Sequence, residues 1–115
     1  MSYIIKTYKD IELTVNSDTI TLKEIQKDLN NYSIIVLSMD PVIMNKNNIK
    51  IIVPAIQPED GPDVYTLTTA DGIVYKVKLE NYVAVEISTA LNNPTTEFVL
   101  IGDILINRNY FDLLQ

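Results

Sequence analysis

Apolar and polar residues alternate along several short segments of the chain, and this two-residue period is typical of β-strands with one buried face. Residues 11–15 alternate three aliphatic side chains with polar ones and predict a half-buried strand. Residues 64–69 and 73–80 flank the turn sequence 70–72 and predict a β-hairpin. The inward face of its second arm is predicted to carry Ile73, Tyr75, Val77 and Leu79.

Other apolar segments predict further strands. Residues 33–38 form a continuous apolar run, which is typical of a strand covered on both faces. Two short apolar segments flank Gly102 and Asp103, where we expect a tight turn or a bulge. The remaining strands are predicted at residues 49–53, 82–88, 98–101 and 104–106.

One helix is predicted, at residues 22–29. Its apolar residues recur at the spacing of a helical face. Thr21 and Glu24 match the capping-box pattern, in which the first side chain accepts a hydrogen bond from the backbone of the second. Residues 16–18 have the composition of a turn, and residues 19–22 are compatible with a returning strand as well as with the start of the helix.

These elements add up to about seven or eight strands and one short helix, with no helix between consecutive strands after residue 33. We therefore expect a mainly β (α+β) fold, an antiparallel barrel or sandwich with one helix packed on it. A chain of 115 residues is the size of one ordinary domain, so residues 1–115 are expected to form a single globular domain. No internal repeat of fixed period is apparent from the sequence.

Composition removes many kinds of chemistry. The chain contains no cysteine and no histidine, which excludes disulfides, thiolate nucleophiles, histidine-based triads and metal sites with Cys or His ligands. The net charge is −6 with a single arginine, so direct nucleic-acid binding is not expected. No signal peptide or segment of membrane-spanning length is apparent. A cytoplasmic or virion location is therefore expected.

The segment 57–63 is the most acidic of the chain, with Glu59, Asp60 and Asp63 among two prolines and a glycine. A cation site would use such carboxylates, but their spacing does not match an EF-hand loop. A solvated connector that exposes the three carboxylates is the favoured interpretation. Cation binding by this loop stays open.

No catalytic constellation is apparent. The strand carboxylates Glu12, Glu80 and Glu86 each fall on the outward face of an alternating segment, where two of them are not expected to face each other across a cleft. The three glycines are isolated, so no glycine-rich phosphate loop is present. We predict a protein that is not an enzyme, with no cofactor, no bound metal and no catalytic residues.

The C-terminal segment is the most suggestive surface candidate. Residues 110–114 are rich in large apolar side chains and follow a polar break. They are expected to close the core as a last strand or turn, and docking on a neighbouring subunit is the alternative. The candidate docking residues are Tyr110, Phe111, Leu113 and Leu114.

Two functions remain, and an enzyme without a recognisable motif is kept as a third, reserve class. The first is a structural or assembly module that packs against itself or a partner protein, as a homo-oligomer or part of a larger assembly. A bacteriophage or viral virion component, such as a capsid accessory, head-completion or tail protein, would suit its small size. The alternative is a small acidic inhibitor that binds the basic groove of a nucleic-acid-handling protein.

Overall fold

The computed structural model describes residues 2–16, 21–39 and 41–115. This part of the chain contains ten β-strands, two α-helices and two single-turn 3-10 helices, joined by turns and loops. The first half contains β1 (Ser2–Thr7), β2 (Glu12–Asn16), α1 (Leu22–Leu29), β3 (Val36–Met39), β4 (Val42–Asn45), the 3-10 helix Lys46–Asn48 and β5 (Ile49–Pro54). The second half contains β6 (Val64–Thr69), β7 (Val74–Lys78), α2 (Ala84–Asn92), β8 (Phe98–Ile101), β9 (Ile104–Asn107), the 3-10 helix Arg108–Tyr110 and β10 (Phe111–Leu114).

The strands form three antiparallel sheets. Among the described residues, a five-stranded sheet has the order β2-β1-β5-β9-β8, a three-stranded sheet the order β10-β6-β7, and β3 pairs with β4 alone. The α+β class is confirmed, and the barrel alternative is wrong because every sheet ends in unpaired edge strands. The expected seven or eight strands and one helix are too few, since β1 and β4 were not predicted and α2 was predicted as a strand.

The two halves of the chain repeat the same fold. β1 begins at Ser2 and β6 at Val64, and every later element of the second half likewise begins 62 residues after its counterpart in the first. We call residues 2–54 the first unit and residues 64–115 the second unit. In each unit the last strand returns to pair with the first strand, so β5 pairs with β1 and β10 pairs with β6.

Strand registers and turns repeat with the same spacing. Tyr3 lies opposite Val15 in the first hairpin, and Tyr65 lies opposite Val77 in its counterpart. The register of β1 with β5 shifts after Lys6, and that of β6 with β10 shifts at the equivalent place. Both first hairpins also turn through a residue of positive φ, Asp10 at 60° and Gly72 at 87°.

The expectation of no internal repeat is therefore wrong. A gap-free shift of 62 aligns the two units with 11 identical residues in 52 pairs, too few for the sequence identity alone to reveal the repeat. The identical residues of the first unit are Tyr3, Thr7, Ile11, Val15, Glu24, Ile25, Leu29, Asn30, Asn31, Asn45 and Asn47. One of these residues has the same structural role as its counterpart, since Asn45 and Asn107 each accept a hydrogen bond from the backbone of a 3-10 helix.

Helix α1 matches its predicted bounds. The Thr21 side chain accepts a hydrogen bond from the Glu24 backbone N–H at 3.2 Å, as the capping pattern predicts. Leu22, Ile25 and Leu29 are buried on one face of the helix. The turn predicted at residues 16–18 and the strand considered at residues 19–22 fall largely outside the described residues, and Leu22 itself is helical.

The strand predicted at residues 82–88 is wrong, because this segment enters helix α2. Its alternating Val83 and Val85 are 42% and 68% exposed, so they do not form a buried strand face. The side chains that pack on the core are instead Ile87, Ala90 and Leu91, which recur at helical spacing. Tertiary packing on the second unit thus overrides the β preference of the valines.

The segment 33–38 is also corrected. Only residues from Val36 onward form a strand, and it belongs to a two-stranded sheet rather than to a sheet covered on both faces. Leu37 is buried, whereas Ile35 and Val36 are 66% and 50% exposed. The predictions for β2, β5, the β6–β7 hairpin, β8, β9 and a last strand near the C-terminus are confirmed, with bounds that shift by one or two residues.

Two hydrophobic cores organise the molecule, one in each unit. The first core is built on β1, β2, α1 and β5, and the second on β6, β7, the β8–β9 hairpin and α2. Each core also contains side chains from the other unit. This exchange joins the two units and positions the site described next.

Candidate functional site

The junction between the two units is formed by a pair of strands, and each unit has side chains buried in the core of the other unit. β5 of the first unit pairs with β9 of the second, with Ile51 opposite Ile106 and Ile52 opposite Leu105. Phe98 and Leu105 of the second unit are fully buried in the first core. Ile51 and Val53 of the first unit are buried in the second core. The β8–β9 hairpin therefore completes the first unit as well as its own.

An asparagine clamps the hairpin to helix α1. The Asn30 side-chain amide donates to the Phe98 carbonyl at 3.0 Å, and its oxygen accepts from the Phe98 N–H at 2.9 Å. Gln26 also donates to the Phe98 carbonyl. The first residue of β8 thus has its backbone donor and acceptor paired by side chains of the other unit.

A polar cluster crosses the same junction on the other side of β5. Asp71 accepts hydrogen bonds from the Thr69 and Tyr110 hydroxyls, both at 2.5 Å. The Lys50 ammonium lies 3.5 Å from the second oxygen of Asp71 and 3.7 Å from Asp10. It also lies over the Tyr110 ring, 4.9 Å from its centroid. Lys50 comes from the first unit, and Asp71 and Tyr110 come from the second.

These contacts hold both charges in place. The hydrogen bonds from Thr69 and then Tyr110, together with Lys50, lower the pKa of Asp71 to about 2. Burial acts to lower the pKa of Lys50, but Tyr110 and Asp71 outweigh it and the pKa rises. A carboxylate of such low pKa is a weak base near pH 7. The cluster therefore suits an electrostatic link between the units better than proton transfer.

Two surfaces correspond to the two sides of this junction but are not covered by any other described residue. The first is the outer face of the β3–β4 hairpin, formed by Val36, Ser38 and Ile43. Val36 is the counterpart of Phe98 and Ile43 the counterpart of Leu105 by the shift of 62. Their exposed fractions are 50% and 71%, against 0% for both counterparts.

The second surface is a groove of about 470 Å³ between α2 and β10, which we call the α2–β10 groove. Its lining includes Tyr82, Ile87, Leu91, Phe111, Leu113 and Leu114. Ile87 and Leu91 are half-buried, whereas their counterparts Ile25 and Leu29 are 1% and 0% exposed in the first core. The groove lies where the second unit lacks the hairpin that fills the first.

The candidate docking residues of the C-terminal segment lie in and around this groove. Tyr110 is buried in the second core and in the polar cluster, so its side chain is not on the surface. Phe111 and Leu114 are half-buried and Leu113 is 44% exposed. The segment forms β10 against β6, so the expectation that it closes the core is confirmed and its docking role stays a prediction.

The acidic loop lies away from the junction. Glu59, Asp60 and Asp63 are exposed, and Asp60 forms an ion pair with Lys76 at 2.8 Å. Within residues 2–16, 21–39 and 41–115, no three Asp or Glu side chains lie together as a group able to hold a metal ion.

Sequence reasoning missed the residues that join the units. Lys50 and Asp71 lie on separate segments with no local pattern, and Asn30 looks like an ordinary helix end. A signal was present in the paired motifs Glu24-Ile25 with Leu29-Asn30-Asn31 and Glu86-Ile87 with Leu91-Asn92-Asn93. Aligning them gives the repeat and, with it, the correspondence of exposed and buried faces.

Comparison with known proteins adds no family. No protein-family model matches the chain, and no curated protein or solved structure matches it either. Among the described residues, no helix is long and apolar enough to cross a membrane.

Proposed function

We propose that this protein is a non-enzymatic assembly module that associates with copies of itself through its unpartnered apolar surfaces. The observation that carries the proposal is the exposure of Val36 and Ile43 on the outer face of the β3–β4 hairpin, with Leu113 exposed at the other end of the repeat. Each of the three has a fully buried counterpart within the same chain.

Free strand edges support the same proposal. In the described residues, β4 pairs only with β3 and β10 pairs only with β6. An unpaired edge presents backbone donors and acceptors that another strand can use. A role as a bacteriophage or viral virion component stays a prediction, consistent with an assembly module but resting on size and composition alone.

Absolute mass tests the proposal. We would measure it by light scattering after size exclusion over about a hundredfold concentration range, at low and at high salt. A mass that rises with concentration is the expected result. Monomer mass at every concentration would exclude self-association and favour the acidic inhibitor, which should bind a basic protein with strong salt dependence.

A further inference from the structure

The repeat specifies how two copies would meet. The geometry points to a head-to-tail contact in which the β3–β4 hairpin of a second copy occupies the α2–β10 groove of the first. This inference rests on the proposed function and adds the identity, orientation and register of the partner. Its template is the junction between the two units, where the β8–β9 hairpin occupies the equivalent position on the first unit.

The strand edges required for this contact are both free in the described part of the chain. In the junction the outer edge of β5 pairs with β9, and the counterparts of these strands are β10 and β4. Replacing each residue of the two observed β5–β9 pairs by its counterpart in the other unit places Leu113 opposite Met44 of the second copy and Leu114 opposite Ile43. The three-stranded sheet would then gain β4 and β3 and become β7-β6-β10-β4-β3, the order already present in the five-stranded sheet.

The apolar side chains match in the same alignment. Val36 and Ile43 of the second copy would enter the groove beside Ile87 and Leu91, as Phe98 and Leu105 enter the first core beside Ile25 and Leu29. Asn92 is identical to its counterpart Asn30, whose amide pairs both backbone groups of Phe98. Asn92 would make the same two hydrogen bonds to the backbone of Val36 in the second copy.

Charge complementarity supports the alignment independently. In the junction Lys50 pairs with Asp71. The counterpart of Lys50 is Asp112 and that of Asp71 is Lys9, so the contact between copies would reverse both signs and keep the attraction. Both side chains are exposed, and neither has an ion-pair partner within the described part of the chain.

Some counterparts are more polar at the free ends than in the junction. Ser38 replaces Leu100, Thr66 replaces Ile4 and Gln115 replaces Val53. The contact between copies therefore buries less apolar surface than the junction, and a reversible, concentration-dependent association is expected. Because the two surfaces differ, the contact is heterologous and propagates into a ring or a filament rather than a closed two-fold dimer.

Engineered cysteines test the register, and the chain has no cysteine of its own. Four single variants are needed, Leu113→Cys, Leu114→Cys, Met44→Cys and Ile43→Cys. Each would be checked for folding by its denaturation midpoint, then mixed in pairs under a mild oxidant and read on a non-reducing gel. Neighbouring side chains of a strand point to opposite faces, so only pairs in register can reach disulfide geometry.

The expected result is cross-linking of 113 with 44 and of 114 with 43, at least about tenfold above the crossed mixtures 113 with 43 and 114 with 44. Two matched pairs keep the test valid if one variant does not fold. For a protein whose mass rises with concentration, three results would overturn this contact and leave self-association standing. These are equal yields in all four mixtures, no cross-linking in any mixture, and cross-linked products from a single variant alone. Monomer mass at every concentration would remove both.

Discussion

Phe98 and Val36 occupy equivalent strand positions in the two units, but Phe98 is buried at the junction and Val36 is not. Truncating each side chain to alanine therefore shows how much of its contribution to stability comes from that burial. Phe98 is 0% exposed in the first core, whereas Val36 is 50% exposed on the outer face of the β3–β4 hairpin. Phe98→Ala removes a fully buried ring and leaves a cavity between α1 and β8. Such substitutions typically reduce the free energy of unfolding by about 3–5 kcal/mol. This loss is a large share of the roughly 5–15 kcal/mol that stabilises an ordinary domain.

Val36→Ala should cost at most about 1 kcal/mol in the isolated chain, because half of the side chain is already in water. Urea denaturation at a protein concentration where the chain is monomeric measures both variants without a contribution from self-association. The same Val36→Ala variant should weaken self-association at higher concentration. If both variants reduced the free energy of unfolding by a similar amount, the claim that this position is buried in the second unit and exposed in the first would be refuted.

Three further predictions concern the junction and its turns. Asn30→Ala leaves the Phe98 N–H without its acceptor and leaves Gln26 as the side-chain donor to the Phe98 carbonyl, so it should cost about 1–3 kcal/mol in urea denaturation. Asn92→Ala in the monomer should change the unfolding free energy by about 0.5 kcal/mol or less. Gly102→Ala should destabilise the protein by more than about 1 kcal/mol, because φ is +57° and the new Cβ would lie 2.6 Å from a valine methyl. Gly72→Ala should cost less, because its new Cβ would have no atom within 4 Å, although φ is +87°. A lower melting temperature for Gly72→Ala than for Gly102→Ala would count against the packing at Gly102. The pKa of Asp71 is lowered from its ordinary 3.8 to about 2 in the folded protein, so between these pH values the unfolded chain binds more protons than the folded one. The stabilisation by ionised Asp71 is therefore fully present above about pH 4 and is lost as the pH falls toward 2. Asp71→Asn should therefore destabilise the protein less at pH 2 than at pH 5 in urea denaturation, and an equal effect at both would show that the carboxylate is not held ionised by its donors.

Local patterns predicted much of the secondary structure because they report on single elements. The helical spacing of Leu22, Ile25 and Leu29 and the cap at Thr21 were sufficient for α1, since the helix buries that one face. The turn residues between β6 and β7 and between β8 and β9 likewise marked both hairpins. In these segments local propensity and tertiary packing agree.

The errors fall where the environment rather than the local pattern decides. Val83 and Val85 read as a strand, but α2 is selected by the packing of Ile87 and Leu91 on the second core. The segment 33–38 was predicted to be covered on both faces, yet Val36 is 50% exposed, because no described residue covers it as the first core covers its counterpart Phe98. A single strand's composition cannot distinguish a covered face from an exposed one.

The candidate site depends on long-range pairing and was not accessible to local reading. Lys50, Asp71 and Tyr110 are brought together only when β5 of the first unit lies beside the turns of the second. The docking role predicted for Leu113 and Leu114 came from their apolar, terminal character. The repeat adds the specific surface that they would contact, and this surface contains Met44 and Ile43.

A charge exchange between copies tests the head-to-tail account most directly. Asp112→Lys alone would face Lys9 of the next copy, and Lys9→Asp alone would face Asp112, so each variant should associate more weakly than the natural chain. An equimolar mixture restores an opposite-charge pair at every contact. Exposed pairs contribute about 0.2–1 kcal/mol, so several-fold changes in dissociation constant are expected at low salt. Glu59→Lys and Lys23→Asp are control changes of the same charge at exposed positions outside the contact.

The measurement is the weight-average mass by light scattering of each variant, of the mixture and of the control pair at one concentration. We expect reduced mass for Asp112→Lys and for Lys9→Asp, recovery in their mixture, and no comparable pattern in the controls. A mixture that associates no better than its components would contradict the head-to-tail contact between Asp112 and Lys9.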